Sequence, residues 1–316
     1  MKGKIKASEA NLIYFVVVIC FLFFQVVLSF LSTLLGNEFL SNNFYFIILI
    51  NEFTIIAPVL VYMKAKKADI KENFKFKSLD SRHALLILIM AFPAYAFAVV
   101  LNNIVIFLVQ FAGEVPDDMV PVPESLGDLL LGIFFIGVIP AICEEILARG
   151  LLLKAYEKAG IIRAVIYSAF LFGIIHFDIT NFLGPVFLGI LMGYYVIRTN
   201  SIFAGMLAHF ANNAIAEIIA YLINKNVIYD TREIKTDVIT VSDLSVMAVA
   251  GIISLVLLYF LLKKFKSATE YSKISAEPSD RTKSSKISVF FSLPVIMTII
   301  LYLIMAVFYV LVLHFN

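Results

Sequence analysis

Residues 127–153 read GDLLLGIFFIGVIPAICEEILARGLLL, and from Leu129 to Cys143 no residue carries a charge. About 20 consecutive apolar residues suffice for a helix to cross the ~30 Å hydrocarbon core of a bilayer. A stretch of this kind is read as a membrane-spanning helix. It is also unusual, because Glu144, Glu145 and Arg149 stand inside it, and ionisable groups within a span cost several kcal/mol each.

The pattern repeats outward from this segment in both directions. Eight further apolar segments fall at about 11–35, 44–63, 84–112, 162–177, 182–199, 201–223, 244–262 and 287–313, each bounded by polar or charged residues. Those at 162–177 and 182–199 are short for full spans and suit part-depth helices. The chain is 61% hydrophobic and 15% charged over 316 residues, against about 45–50% and about 25% in soluble domains. These features predict an all-α, polytopic transmembrane bundle of about nine spans (eight to nine), forming a single domain over 1–316. No internal repeat is evident, and the one biased tract is the Ser/Lys-rich stretch from Lys273 to Ser288. The first segment follows Lys2, Lys4 and Lys6 but exceeds the ~7–15 residues of a signal-peptide core and lacks a small-residue cleavage site, so a retained anchor is expected. Cys20 and Cys143 both lie in apolar runs and read as packing residues. A net charge of +2 gives no argument for nucleic acid; the expected surroundings are the lipid bilayer.

Where the charges sit is more informative than their sum. With a cytoplasmic N-terminus, 22 of the 25 basic residues fall on the cytoplasmic side, leaving Lys225, Arg232 and Lys235 outside. The loop from Glu114 to Glu124, expected outside, carries Asp117 and Asp118 and no basic residue. The positive-inside rule then predicts a multi-pass protein of the cell membrane with its N-terminus inside and its C-terminus outside.

Three clusters in the segments carry chemistry. At 100° per residue Glu145 and Arg149 share one helix face and can pair, while Glu144 points about a quarter-turn away. A carboxylate among apolar residues is suited to take and return a proton near neutral pH, which makes Glu144 the candidate base; the bland alternative is a charge cluster at a cytoplasmic helix end. Pro140 frees the carbonyl of Ile136 and is expected to kink the helix. The next segment ends in Phe172-Gly173-Ile174-Ile175-His176. A lone histidine there is ordinarily interfacial, but with a turn at Gly160, Glu144 lies 16 residues before it and His176 16 after it. An antiparallel hairpin then brings the two to one depth. Further on, His209 and Asn213 lie one helical turn apart, with Glu217 a turn beyond. Such donors suit an oxyanion hole; they equally suit a polar stripe between helices, the role expected of Asn51, Glu52, Asn102 and Asn103. Asn212 sits a quarter-turn off this face and is given no role.

At these residues the chain resembles the CAAX-protease and bacteriocin-processing family, which includes the type II CAAX prenyl endopeptidases. The family carries Glu-Glu-x-x-x-Arg, Phe-x-x-x-His and His-x-x-x-Asn motifs on successive membrane helices, matched here by EEILAR from Glu144, FGIIH ending at His176, and HFANN from His209 to Asn213. The resemblance covers about 125–223, the expected catalytic core. It implies an intramembrane glutamic endopeptidase acting on a membrane-associated protein or peptide, of CAAX type or a bacteriocin or other peptide precursor. Glu144 and His176 would activate water, His209 and Asn213 would stabilise the oxyanion, and Glu145, Arg149 and Phe172 would support them.

Two readings from other classes stand beside this one. A non-proteolytic bacteriocin self-immunity or scaffold protein would share the motifs. A transporter would show repeated halves or interrupted helix pairs, neither of which is clear. His176, His209 and Glu144 form a conceivable zinc set, but no His-Glu-x-x-His spacing is present and Asn213 is a better oxyanion donor than zinc ligand. The expected mechanism uses no cofactor, with zinc left open.

Overall fold

The computed structural model describes residues 5–36, 38–116, 120–225, 238–269 and 289–315. Lys2, Lys4, Asp117, Asp118, Arg232, Lys235 and the stretch from Lys273 to Ser288 lie outside them. The chain is helical throughout its described apolar segments: α1 (Ala7–Leu35), α2 (Phe44–Lys66), α3 (Ser81–Val109), α4 (Leu126–Ala159), α5 (Ile161–Ile174), α6 (Leu183–Thr199), α7 (Ile202–Asn224), α8 (Val241–Ala268) and α9 (Leu293–Phe315). Seven are long and apolar enough to cross a membrane; α5 and α6 are the two shorter ones, the same pair that is short in the sequence.

Side chains facing outward are those that lipid accepts. Phe23, Val26 and Phe30 on α1, and Ile252, Leu257 and Phe260 on α8, are all more than half exposed, a density of bare apolar surface that water does not tolerate. The protein is a polytopic membrane protein.

The centre of the bundle is α4. It packs against α2, α5 and α7, while α3 packs against α6, α7 and α8, and α9 lies against α1. Local chemistry sets where each helix begins and turns. Ser125 starts α4 with a capping box, its hydroxyl accepting from the Asp128 N–H at 3.1 Å and the Asp128 carboxylate accepting from the Ser125 N–H at 2.9 Å. Gly160 ends it with φ of 111°, a backbone conformation that side chains disfavour, and α5 starts at the next residue. The hairpin turn expected at Gly160 is therefore present.

Polar side chains tie the bundle together where backbone or side-chain acceptors are available. Asn11 of α1 donates to the Val289 carbonyl at 2.9 Å and the Ser292 hydroxyl at 2.7 Å, and accepts from the Tyr156 hydroxyl. Tyr14 donates to the Leu171 carbonyl at 2.7 Å. Asn102 joins α3 to the start of α6, donating to Asn181 and accepting from the Gly184 N–H, both at 2.8 Å; this is the interhelical role expected of it. Asn103 instead bonds back to Val99 of its own helix. Between α2 and α3 the chain folds under the bundle. There Phe74 lies against Gly150, and Lys75 pairs with Glu157 at 2.5 Å. Burial pulls the Lys75 ammonium below its usual pKa, against the opposing pull of the Glu157 carboxylate.

Candidate active site

The site is built where α4 and α7 run antiparallel. Stepping one turn at a time along α7, His209 meets Glu145, Asn213 meets the carbonyl of Ile136, and Glu217 lies against Gly132. The α7 positions rise by four as their α4 partners fall, so a single helix face of α7 is read out against α4. Asn224 extends the register, donating to the Pro123 carbonyl at 3.1 Å.

α4 itself departs from a regular helix on both sides of the acidic pair. Residues Ile133–Val138 and Ile146–Leu153 are π-helical, and Ile139–Glu145 between them is α-helical with Pro140 in its first turn. Proline has no N–H to donate, so the Ile136 carbonyl loses its ordinary partner. The Asn213 amide takes that place at 2.9 Å. The expected kink is thus realised as widened turns, which recur where helices carry function.

Glu145 and Arg149 form a fully buried ion pair, at 0% side-chain exposure each. The same guanidinium donates to the Gly189 carbonyl at 2.9 Å and lies 4.7 Å from the centre of the Phe172 ring, an arrangement that satisfies a buried cation from three directions. His209 Nδ1 approaches the same Glu145 oxygen at 3.4 Å. Phe172 in turn meets the rings of His176 and His209 edge-on, at 5.4 and 5.6 Å between centroids. One aromatic side chain therefore contacts the arginine and both motif histidines.

His176 lies just past the end of α5, where its Nδ1 is 2.9 Å from the Phe172 carbonyl. A carbonyl can only accept, so Nδ1 carries a proton, and in the neutral imidazole the lone pair is then on Nε2. Asn213 is held equally firmly. Its Oδ1 accepts from Asn212 at 3.1 Å while its Nδ2 donates to Ile136, and an amide nitrogen has a second hydrogen to offer. Glu144 is half-buried and has one carboxylate oxygen shielded from solvent without a hydrogen-bond partner. Among the described residues no three His, Cys, Asp or Glu side chains come together as a metal-holding group.

Sequence reasoning missed several residues that shape this site. Asn212, given no role, orients Asn213. Gly205, one turn before His209, leaves room for the second oxygen of Glu145, which a β-carbon there would strike. Gly189 lets α6 approach α5 so closely that a β-carbon would stand 3.0 Å from Ala169, and this closeness delivers its carbonyl to Arg149. The signal was present as the small-residue spacing Gly189-x-x-x-Gly193, which allows close helix packing in membranes. Glu52 of α2, read as interhelical glue, is 4% exposed with one oxygen unpartnered.

Compared with known proteins, the chain matches no curated protein and no solved structure. Residues 126–215, which hold all three motifs and the α4–α7 face just described, match the family described as type II CAAX prenyl endopeptidase Rce1-like. The likeness to that family is confined to the stretch from the start of α4 into α7.

Proposed function

We propose that the protein is an intramembrane endopeptidase that hydrolyses a peptide bond in a membrane-associated protein or peptide. The observation that carries this reading is the division of labour between adjacent glutamates. Glu145 commits its Oε1 atom to Arg149 and His209, whereas Glu144 has a shielded oxygen without a partner and forms no ion pair among the described residues. A carboxylate so placed suits a general base. Glu144 takes a proton from water, and His176, through the lone pair on Nε2, accepts the water's other hydrogen as a hydrogen bond and orients it. The water oxygen adds to the scissile carbonyl carbon, and N–H groups of His209 and Asn213 hold the oxyanion. Glu144 then returns its proton to the amide nitrogen, the C–N bond breaks, and an acid and an amine leave.

The mechanism as drawn uses no metal, and what favours hydrolysis over a non-proteolytic immunity or scaffold role is the second hydrogen of the Asn213 amide, beyond the one given to the Ile136 carbonyl. The substrate class follows the family, either a prenylated CAAX-type protein or a membrane-bound peptide precursor. The deciding experiment offers purified protein both a prenylated CAAX peptide and an unprenylated membrane peptide. Cleavage of either, abolished in Glu144→Gln while the chain stays folded in the membrane, is the expected result; parental activity in Glu144→Gln removes the base assignment. The cytoplasmic N-terminus and outside C-terminus belong to the same proposal, and a cytoplasmic response from a reporter fused after Asn316 refutes them.

A further inference from the structure

At one end of the bundle α3 begins, α6 ends, α7 begins and α8 ends, at Ser81, Thr199, Ile202 and Ala268. A cavity of about 580 Å³ lies among these ends, and Lys77, Arg82, His83 and Arg198 line it against one carboxylate, Asp80, among the described residues. It is separate from the candidate active site: His209 stands seven residues into α7, about 10 Å along the axis at 1.5 Å per residue. Arg198 distinguishes this cavity from a patch of surface charge. It is 8% exposed, and its Nε donates to the Thr269 hydroxyl at 2.9 Å while its Nη2 donates to the carbonyls of Lys266 and Thr269. These bonds fix the guanidinium at the cavity wall. His83 Nε2 lies 3.0 Å from the Ala268 carbonyl and joins α3 to α8 there. Asp80 is turned to its own helix, accepting from the Arg82 N–H at 2.8 Å.

Three cations against one carboxylate are complementary to an anion, and the forked guanidinium of arginine matches the oxygens of phosphate. The surface beside the cavity indicates what carries that phosphate. Arg82, Leu85 and Ile89 are spaced i, i+3 and i+7 on one face of α3, and all three are exposed. A charged rim therefore continues directly into an apolar strip at membrane depth, the order of groups found along a phospholipid. We propose that the cavity binds the phosphate of an anionic phospholipid, with Lys77, Arg82 and Arg198 holding the headgroup and the acyl chains running along Leu85 and Ile89. Basic pockets between spans hold anionic headgroups in this way. A zwitterionic lipid would bring its own ammonium among the three cations, so the cavity selects against it. None of this depends on whether the chain cleaves a peptide.

The test titrates the purified full chain in detergent with phosphatidylglycerol, phosphatidylcholine or inorganic phosphate, reading the ligand-dependent rise in unfolding temperature and, by native mass spectrometry, the lipid retained. Phosphatidylglycerol should raise the unfolding temperature saturably and stay bound at about one per chain, while the other two do neither at the same concentration. Lys77→Gln with Arg82→Gln, both at exposed positions, should weaken the apparent affinity about 10- to 30-fold, since each basic contact to an anionic lipid contributes a factor of about five. Lys71→Gln, on the same connection but outside the cavity, should leave it within about twofold. Equal retention of phosphatidylcholine overturns the selection for an anion, and saturation by inorganic phosphate at the same affinity overturns the lipid as its source. Parental affinity in the double variant, or an equal loss in Lys71→Gln, means diffuse attraction to a basic surface and overturns the site. Should the double variant not fold, Lys77→Gln alone, with an expected loss of about fivefold, decides.

Discussion

α4 and α8 are both apolar enough to span a membrane, yet they do opposite things with their polar residues. α8 keeps its charges at its ends, Asp243 in the first turn and Lys266 in the last, and between them exposes Val246, Val249, Ile252, Ile253, Val256 and Leu257. α4 carries Glu144, Glu145 and Arg149 in mid-helix and buries Glu145 and Arg149 almost completely. Hydropathy puts both helices in the membrane; the placement of charge tells which of them faces protein. A helix surrounded by lipid cannot afford the second arrangement, because each isolated charge would remain unpaired. α4 tolerates it because α5, α6 and α7 bring Phe172, the Gly189 carbonyl and His209 to the charges.

The contrast breaks most visibly at Asn213. If its amide serves the oxyanion, Asn213→Ala should lower the rate by about 10²–10³-fold, the usual effect of removing one such donor. The same change strips the Ile136 carbonyl of its partner, so a stability loss of about 1 kcal/mol should accompany it in thermal unfolding. Prolonged chelation should leave the parent active. Activity lost to chelation and restored by zinc, with bound metal lost in His176→Ala, would instead give His176, His209 and Glu144 ligand roles.

The sequence made the helices legible because each is a long apolar run with polar ends, and their limits moved by only a few residues. The face shared by Glu145 and Arg149 was legible from helical spacing alone, and the turn at Gly160 from the hairpin argument. What was hidden depends on contacts between helices distant in sequence. Asn212 reads as off the α7 face, yet it reaches its neighbour Asn213 along the helix rather than across it. Glu52 reads like any polar residue in a span until α2 is packed on α4. The freed Ile136 carbonyl was predictable from Pro140, but its capture by a residue 77 positions later was not.

The next effect is on stability. Glu145→Gln removes one partner of a buried ion pair and leaves Arg149 charged in the bundle, a change that costs about 3–5 kcal/mol. Unfolding of the purified protein should show this loss, whereas Glu144→Gln should melt near the parent. The pair of variants separates the roles of adjacent glutamates, and equal destabilisation by both would mean that Glu144 too is a structural residue.

The smallest effect completes the comparison of α4 with α8. Leu152 is fully buried in α4, within the cluster formed with α1, α2 and α5, and Leu152→Ala should cost about 2–5 kcal/mol through the cavity it leaves. Ile252 is 63% exposed on α8, where lipid tails replace whatever contact the side chain had. Lipid is as apolar as the side chain, so no hydrophobic transfer is lost, and Ile252→Ala should change stability by no more than about 0.5 kcal/mol. Unfolding of the two variants side by side reads the difference directly. If Ile252→Ala were as costly as Leu152→Ala, the exposed face of α8 would be covered by protein rather than lipid. Its sparse burial would then mark an interface with another subunit or with another helix of the bundle.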